Sequence, residues 1–184
     1  QWRGGSDGGD LPTHVRTPGG DELELFSQEL ATEVGRRHRS PVEMMHLKHG
    51  IFDEAPVSLI TTATVEEIGR LADQQPDVRR FRPNILVSSP LSVPFEEDDW
   101  VGGVLSFGED TEAAAVSITL RDERCSMVNF DPESARSDGA VLKAIVRERD
   151  NKLGVYGTVI RCGHLAVGQP VYFEPAAPQR DAVL

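Results

Sequence analysis

The sequence predicts a mainly β protein of the α+β class, in which an antiparallel, barrel-like sheet carries about three peripheral helices. Seven short apolar segments alternate with period two or are bounded by turn residues, whereas only three segments show helical spacing. The strand segments do not alternate regularly with the helical ones, which disfavours a doubly wound parallel sheet. The 17 Gly and 12 Pro among 184 residues indicate many turns, as a sheet of short strands requires.

Three segments carry the apolar spacing of an amphipathic helix. The first covers residues 27–38, where the leading serine is placed to cap the helix. The second begins with TVEE at residues 64–67, a capping box in which the threonine hydroxyl and the second glutamate each satisfy a free backbone N–H. The third is expected over residues 139–148, with its aliphatic side chains facing inward.

Seven segments have the pattern of β-strands. They cover residues 42–48, 84–88, 104–107, 113–120, 125–130, 154–161 and 169–173. The charged residues 121–124 are expected to form a polar turn, after which Cys125 begins a returning strand. The acidic run at residues 94–100 is interpreted as a solvated turn anchored by Phe95 and Trp100.

The composition excludes several classes of partner. The 30 acidic residues outnumber the 19 basic ones, so the net charge is −11. Affinity for nucleic acid comes mostly from Lys and Arg that displace counterions, which disfavours DNA, RNA and anionic membrane surfaces as partners. No apolar run approaches the roughly 20 residues that span a bilayer, and no apolar signal core follows Gln1. We therefore expect a cytoplasmic protein with reduced thiols at Cys125 and Cys162.

The length fits one or at most two domains. Residues 1–13 are rich in glycine and lack apolar periodicity, so they are interpreted as an irregular lead-in or the remnant of an upstream region. Because the chain begins at Gln1 without an initiator Met, we expect it to be part of a longer protein. One folded domain is expected over residues 14–175, followed by a short tail at 176–184.

An arginine cluster precedes the second predicted strand. The sequence RRFRPN at residues 79–84 concentrates positive charge in an acidic protein, and a guanidinium fork can grip phosphate or carboxylate in two places. Pro83 disfavours helix at Arg82, which helps to aim that side chain at the entrance of the strand. The cluster therefore predicts an anion site, although each arginine taken singly could instead pair with one of the many acids.

Cys125 is the candidate reactive thiol. Arg124 lies beside it in sequence, and a neighbouring cation favours the thiolate, the form that attacks or ligates a metal. Spacing alone favours an inert, half-buried cysteine over a reactive one. Cys162, before a glycine turn, is interpreted as a small filler. Zinc ligand spacing, glycine-rich phosphate loops and the GxSxG elbow are all missing from the sequence.

Taken in order, several motifs make the chain resemble the MOSC domain, the module of molybdenum cofactor sulfurases and amidoxime reducing components. The likeness covers about residues 14–174, and RFRPN followed by RC and DP is its most specific combination. The matching pieces are GIFD at 50–53, PVSLITT at 56–62, RFRPNI at 80–85, FEED with Trp100, RC at 124–125, DP at 131–132, LGVY at 153–156 and GHLAVGQPV at 163–171.

This resemblance implies a MOSC-type β-barrel that holds a molybdopterin-type molybdenum cofactor. Cys125 would be the catalytic cysteine that ligates molybdenum, and Arg82 with Asn84 would contact the pterin or its phosphate. The remaining cofactor-binding residues implied by the family are Thr61, Thr62, Arg124 and Tyr156. Family members that bind the cofactor usually carry an additional N-terminal β-barrel region, so we expect this sequence to be either a fragment of such a longer protein or a short form of it.

Three functional hypotheses follow. The resemblance favours an oxidoreductase domain that reduces an N-hydroxylated or N-oxide small-molecule substrate at molybdenum, with electrons from a separate protein. The alternative is a sulfur carrier or cofactor-delivery module, in which Cys125 receives a persulfide and passes it on. A binding domain with unreactive cysteines is the third, and the motif order makes it the least favoured.

Overall fold

The computed structural model describes residues 13–45, 53–75 and 77–176. The chain divides into two compact units, Gln1–Ile51 and Phe52–Leu184. No helix among the described residues is long and apolar enough to cross a membrane. The second unit contains every residue singled out above for chemistry.

The described part of the first unit contains a small hairpin and one helix. Strands β1 (His14–Arg16) and β2 (Glu22–Glu24) pair antiparallel. Helix α1 (Gln28–His38) begins as predicted, because the Ser27 side chain accepts a hydrogen bond from the Leu30 N–H at 3.2 Å.

The second unit is built on a six-stranded sheet that curls into a half-barrel. In spatial order the strands are β4, β3, β7, β6, β5 and β8. All neighbours are antiparallel except β3 and β4, which are parallel and are joined through a helix, as a parallel pair requires. The strands are β3 Val57–Thr61, β4 Ile85–Val87, β5 Val104–Phe107, β6 Ala115–Glu123, β7 Lys152–Arg161 and β8 Val171–Glu174.

Two helices pack on this sheet. Helix α2 (Thr62–Ala72) follows β3 directly, and α3 (Ala140–Arg149) precedes β7. The side chain of Asn129 accepts a hydrogen bond from the Leu142 N–H at 3.0 Å, which satisfies one of the free donors in the first turn of α3. Asn129 thereby ties this helix to the segment that follows Cys125.

Buried apolar side chains form two clusters, one for each side of the sheet. The cluster that includes the helices contains Ile60, Val65, Ile68, Ala72, Phe81, Val128, Val141, Ala144, Ile145 and Leu153. The cluster formed mainly by the strands contains Leu59, Trp100, Leu105, Phe107, Ala114, Val116, Ile118 and Val155. Adjacent strand residues such as Leu59 and Ile60 divide between the two clusters, because successive side chains point to opposite faces.

The fold class, the three helices and most strands are confirmed, but one predicted strand is wrong and the described part of another is not a strand. Residues 125–130 form a 3-10 helix, Ser126–Asn129. Strand β6 already has β5 on one side and β7 on the other, so it offers no free edge to a returning strand. Of the predicted strand 42–48, residues 42–45 are irregular and the remainder lie outside the described residues.

Three local predictions also need correction. The helix expected to be capped by Thr64 begins earlier, because Thr61 is its cap and accepts from the Thr64 N–H. Residues 121–123 continue β6 instead of forming a turn. Three strands were not predicted, namely β1 and β2 of the hairpin and β3. Strand β3 is a short apolar run that continues directly into a helix, and periodicity does not distinguish such a run from part of the helix.

Candidate functional site

Cys125 lies where β6 has ended and the 3-10 helix Ser126–Asn129 begins. Its thiol is free and its residue is exposed. Arg80 holds this 3-10 helix in place, because its Nη1 donates to the carbonyl oxygens of Asn129 at 3.2 Å and Val128 at 3.5 Å. The cysteine therefore stands on a segment whose backbone is held while its sulfur stays accessible.

Arg124, the residue before the thiol, is buried. Its guanidinium Nε donates to the Leu153 carbonyl oxygen at 2.8 Å, and Nη1 donates to the Phe81 carbonyl oxygen at 2.9 Å. It also lies over the Phe81 ring, 5.7 Å from the centroid. Asp122 supplies the counter-ion, with 2.9 Å between Arg124 Nη2 and Asp122 Oδ2. Two of the four residues expected to form a polar turn, Asp122 and Arg124, are instead a buried ion pair.

Burial sets the ionisation of this pair. Desolvation raises the pKa of Asp122 to about 6; the positive charge of Arg124 opposes the rise, and the negative charges of Asp53 and Glu54 add to it. Burial also lowers the pKa of Arg124, and Asp122 opposes that change. Asp122, which is 2% exposed, therefore binds its proton at a higher pH than an ordinary aspartate does.

We predict that protonation of Asp122 increases the free energy of unfolding as the pH falls from about 6 to about 4. Its folded pKa lies above its ordinary value, so between about pH 6 and pH 4 the folded protein binds a proton that the unfolded chain does not. Over this interval the free energy of unfolding of the wild type should rise relative to Asp122→Asn, by on the order of 2 kcal/mol. Urea denaturation of both proteins across the interval measures the difference. A difference that is independent of pH would contradict the prediction.

The arginine cluster divides into paired and free members. Arg79 forms ion pairs with Asp77 and Glu133, and Arg80 lies 3.5 Å from Asp131. Arg82 is exposed and makes no hydrogen bond or ion pair with any part of the chain that the structure describes. Its φ is +51°, a conformation uncommon for a residue other than glycine. Of the three arginines, only Arg82 is therefore available for an anion, whereas Arg79 and Arg80 are paired with acidic residues of the chain.

Asn84 immediately precedes β4, and Tyr156 lies on β7, where it faces Ser58 of β3. The side-chain oxygen of Asn84 accepts from the Ser58 N–H at 2.8 Å, which orients its amide NH2 group without using it. Tyr156 is half-buried, and burial followed by the charge of Asp122 raises the pKa of its hydroxyl. Both side chains can therefore act as hydrogen-bond donors at neutral pH.

The two predicted threonines differ in accessibility. Thr62 is half-buried in the first turn of α2, where backbone N–H groups are free of helix partners. Thr61 is fully buried, and its hydroxyl contacts Glu97 Oε2 at 2.9 Å. The structure assigns Thr61 to capping and leaves no exposed surface on it for a ligand.

Glu97 is the important residue that sequence reasoning missed. It is 0% exposed, and its Oε2 accepts from the hydroxyls of Thr61 and Thr64, at 2.9 and 2.8 Å. Burial raises the pKa of this carboxyl. The supposed solvated turn is a 3-10 helix, Glu96–Trp100. The near threefold period of that helix places Glu97 with the anchoring Trp100, a spacing that could have indicated its burial.

The second thiol lies at the opposite end of the sheet. In the β6–β7 pairing Glu123 faces Lys152 near Cys125, whereas Ala115 faces Arg161 beside Cys162. Cys162 is exposed and lines a mainly apolar cavity of about 320 Å³. Its lining includes Val57, Ile85, Phe107, Val116, Val159 and Leu165. This separation makes Cys162 a natural control for Cys125.

The residues around Cys125 suit an anionic group that carries its own metal. Among the described residues, no cluster of three or more His, Cys, Asp or Glu side chains is placed to hold a metal ion. A metal at Cys125 would therefore have to bring most of its ligands with it. An exposed thiol, an unpaired guanidinium and free amide donors fit such a group, which needs one soft protein ligand and cationic or N–H partners.

A curled sheet with an exposed cysteine next to a buried arginine defines a mainly β domain with a candidate thiol-centred site. The sequence model of the MOSC domain matches residues 36–172. The chain therefore belongs to the MOSC domain family, as the order of its motifs indicated.

Two relatives and one solved structure show how far the similarity extends. Mitochondrial amidoxime-reducing component 1 of Danio rerio is 33% identical over 129 residues, which cover 65% of this chain and 37% of that protein. Mitochondrial amidoxime reducing component 2 of Macaca fascicularis is 26% identical, over 85% of this chain and 52% of that protein. The YuaD protein of Bacillus subtilis shares the fold, with a TM-score of 0.53 at 17% identity, covering 69% of this chain and 68% of that one. The chain thus spans about half or less of the length of these curated relatives.

Proposed function

We propose that this chain is the cofactor-binding MOSC domain of an oxidoreductase that reduces N-hydroxylated or N-oxide substrates at a molybdenum cofactor. The names of the amidoxime-reducing relatives support the reaction class, and the family supports the association with molybdenum cofactor enzymes. When bound, the cofactor supplies the redox and oxygen-atom chemistry that protein side chains lack.

One observation carries the proposal. The exposed thiol of Cys125 follows a buried arginine, and that arginine donates a hydrogen bond to Phe81, the residue before the unpaired Arg82. A soft metal ligand and a free cation are therefore linked through one side chain. This is the pair of groups that a metal-bearing phosphate ester requires.

The surrounding residues have distinct roles in this proposal. Cys125 is the thiolate ligand to molybdenum, and Arg82 and the amide of Asn84 bind the pterin or its phosphate. The N–H groups in the first turn of α2, at Thr62, favour negative charge through the helix dipole. Tyr156 keeps its proton because its pKa is raised, so its hydroxyl can donate to the same group.

The reaction also requires a second protein. Reduction of an N–OH group to N–H with release of water consumes an electron pair and protons. These electrons must reach the cofactor from outside this domain, so we propose a separate electron-transfer protein as partner and a small molecule as substrate. Cytoplasmic location remains a prediction from the sequence.

Metal analysis tests the proposal. The protein should be purified from cells that make molybdenum cofactor, as wild type, Cys125→Ser and Cys162→Ser. We expect near-stoichiometric molybdenum and pterin in the wild type and in Cys162→Ser, and at least a tenfold loss of molybdenum in Cys125→Ser, since the hydroxyl is a poor ligand for a soft metal. Both cysteines are exposed and free, so their substitutions are matched.

Two results would overturn the proposal. One is wild-type protein without molybdenum under these conditions, and the other is equal molybdenum in Cys125→Ser. If mass spectrometry then finds a persulfide on Cys125 and no bound pterin, the sulfur-carrier alternative is favoured, because both functions use the same accessible thiol.

A further inference from the structure

Arg124 joins three segments of the chain at one point. Its backbone N–H donates to the Asn151 carbonyl oxygen at 2.9 Å, and its guanidinium reaches the carbonyl oxygens of Leu153 and Phe81. Cys125 is the next residue after Arg124, and Arg82 is the next residue after Phe81. Cys125 is thus bonded directly to Arg124. Arg82 is bonded directly to Phe81, whose carbonyl oxygen accepts a hydrogen bond from the Arg124 guanidinium.

The space for this guanidinium is provided by a glycine. Gly154 has a φ of +74°, and a Cβ atom on it would lie 2.7 Å from the Leu59 carbonyl oxygen and 3.1 Å from Arg124 Nη2. Any larger residue would therefore press on the backbone of β3 and on the arginine together. The glycine of the LGVY motif is explained by this close approach.

Two features argue that Arg124 does not itself bind a ligand. The residue is 9% exposed, and its guanidinium is directed to carbonyl oxygens of the chain. Its remaining charge faces Asp122, which has no other cation within ion-pair distance in the described structure. A lysine could keep the charge at this position, but its single ammonium group could not replace the Nε and Nη1 donors that reach the two carbonyl oxygens in different directions.

We propose that Arg124, held by Asp122, is a positioning residue that fixes the distance between the Cys125 thiol and the Arg82 side chain. The inference rests on the proposed function for what these two groups bind. The distance itself does not depend on any bound group, so it can be tested separately. The cofactor-binding role expected for Arg124 is thereby replaced by an indirect one.

A distance measurement between two spin labels tests the proposal. The labels are attached to Cys125 and to Arg82→Cys in a Cys162→Ser background, with and without Arg124→Lys. We expect a narrow distance distribution with Arg124 and one at least twice as wide with Arg124→Lys. A control pair, Asp99→Cys with Val146→Cys in a Cys125→Ser and Cys162→Ser background, should keep its width in Arg124→Lys, because both residues are exposed and neither is adjacent to Arg124 or to a residue that its guanidinium holds.

The outcomes separate positioning from general loosening. An unchanged Cys125–Arg82 width in Arg124→Lys would overturn the proposal, and so would equal broadening of both pairs. If Arg124→Lys does not fold, Asp122→Asn serves as the second variant, because it keeps the side-chain shape and removes only the negative charge beside Arg124. It should widen the distance distribution of the Cys125–Arg82 pair and leave that of the control pair unchanged.

Molybdenum content of the same variants, measured without labels, distinguishes this proposal from the proposed function. If Arg124→Lys widens the Cys125–Arg82 distance distribution but the wild type never contains molybdenum, the positioning role is supported and the proposed function is rejected. Molybdenum in the wild type together with an unchanged width would reject positioning alone.

Discussion

Replacing Glu97 with alanine is expected to lower the free energy of unfolding by about 3 kcal/mol. The carboxylate accepts hydrogen bonds from the hydroxyls of Thr61 and Thr64 where water does not reach. Thr64 Oγ1 in turn accepts from the Phe95 N–H at 2.7 Å, so the network joins the start of α2 to the 3-10 helix. Removing the carboxylate opens a cavity and leaves the Thr64 hydroxyl without its acceptor, whereas the Thr61 hydroxyl keeps Thr64 Oγ1 at 2.9 Å as an alternative acceptor.

Denaturant unfolding of Glu97→Ala, Glu97→Gln and Asp99→Ala measures this effect. Asp99 is an exposed acid in the same 3-10 helix, so its substitution should change stability by less than about 0.5 kcal/mol. The glutamine variant keeps the volume and one acceptor oxygen, and should fall between the other two. Equal stabilities for Glu97→Ala and Asp99→Ala would show that the network does not stabilise the fold.

Replacing Ile145 with alanine is expected to cost about 2–5 kcal/mol. Ile145 is fully buried on α3, in the cluster that also contains Ile60 of β3 and Ile68 of α2. The loss combines the transfer free energy of the removed methyl and methylene groups with the cavity that the rigid surroundings cannot fill.

The neighbouring Val146 provides the control for this change. It is 53% exposed on the same helix, so Val146→Ala should be nearly neutral, apart from a small gain in helix propensity. Thermal or urea unfolding of the two variants gives the comparison. Similar losses for both would mean that the cluster does not hold α3 against the sheet.

These two sites support the chemistry indirectly. The Glu97 network secures the first turn of α2, where Thr62 lies, and the Ile145 cluster includes Phe81 and Val128, which flank Arg82 and Cys125. A destabilised network or cluster would therefore alter the candidate site as well as the stability of the fold.

Much of the fold could be predicted because its signals are local. Apolar periodicity located α1, α3 and most strands of the sheet, since each of these elements buries a face whose spacing is visible in the sequence. The strand expected after Cys125 was wrong because a segment forms a strand only where a sheet edge is available. That availability depends on the pairing of β5, β6 and β7, which are distant in sequence.

The sequence identified several residues of the candidate site, but it did not show which charged residues are buried. Cys125 is exposed, and Arg82 has no partner among the described residues, so both are free for the roles expected from the motifs, which remain predictions. Arg124, Asp122 and Glu97 were all interpreted from their charge as exposed or as ligand contacts, yet all three are buried. A charged residue is buried only when a partner offsets its desolvation, and the partners here come from other elements.

The sequence by itself determined the family and the mainly β class, because motif order and hydrophobic periodicity are properties of the chain. Only the tertiary structure decided which charges face the solvent and which hold the fold. The physical reason is that an ion pair such as Asp122 with Arg124 gains or loses free energy according to its burial. Burial is set by strands and helices that meet only when the chain folds.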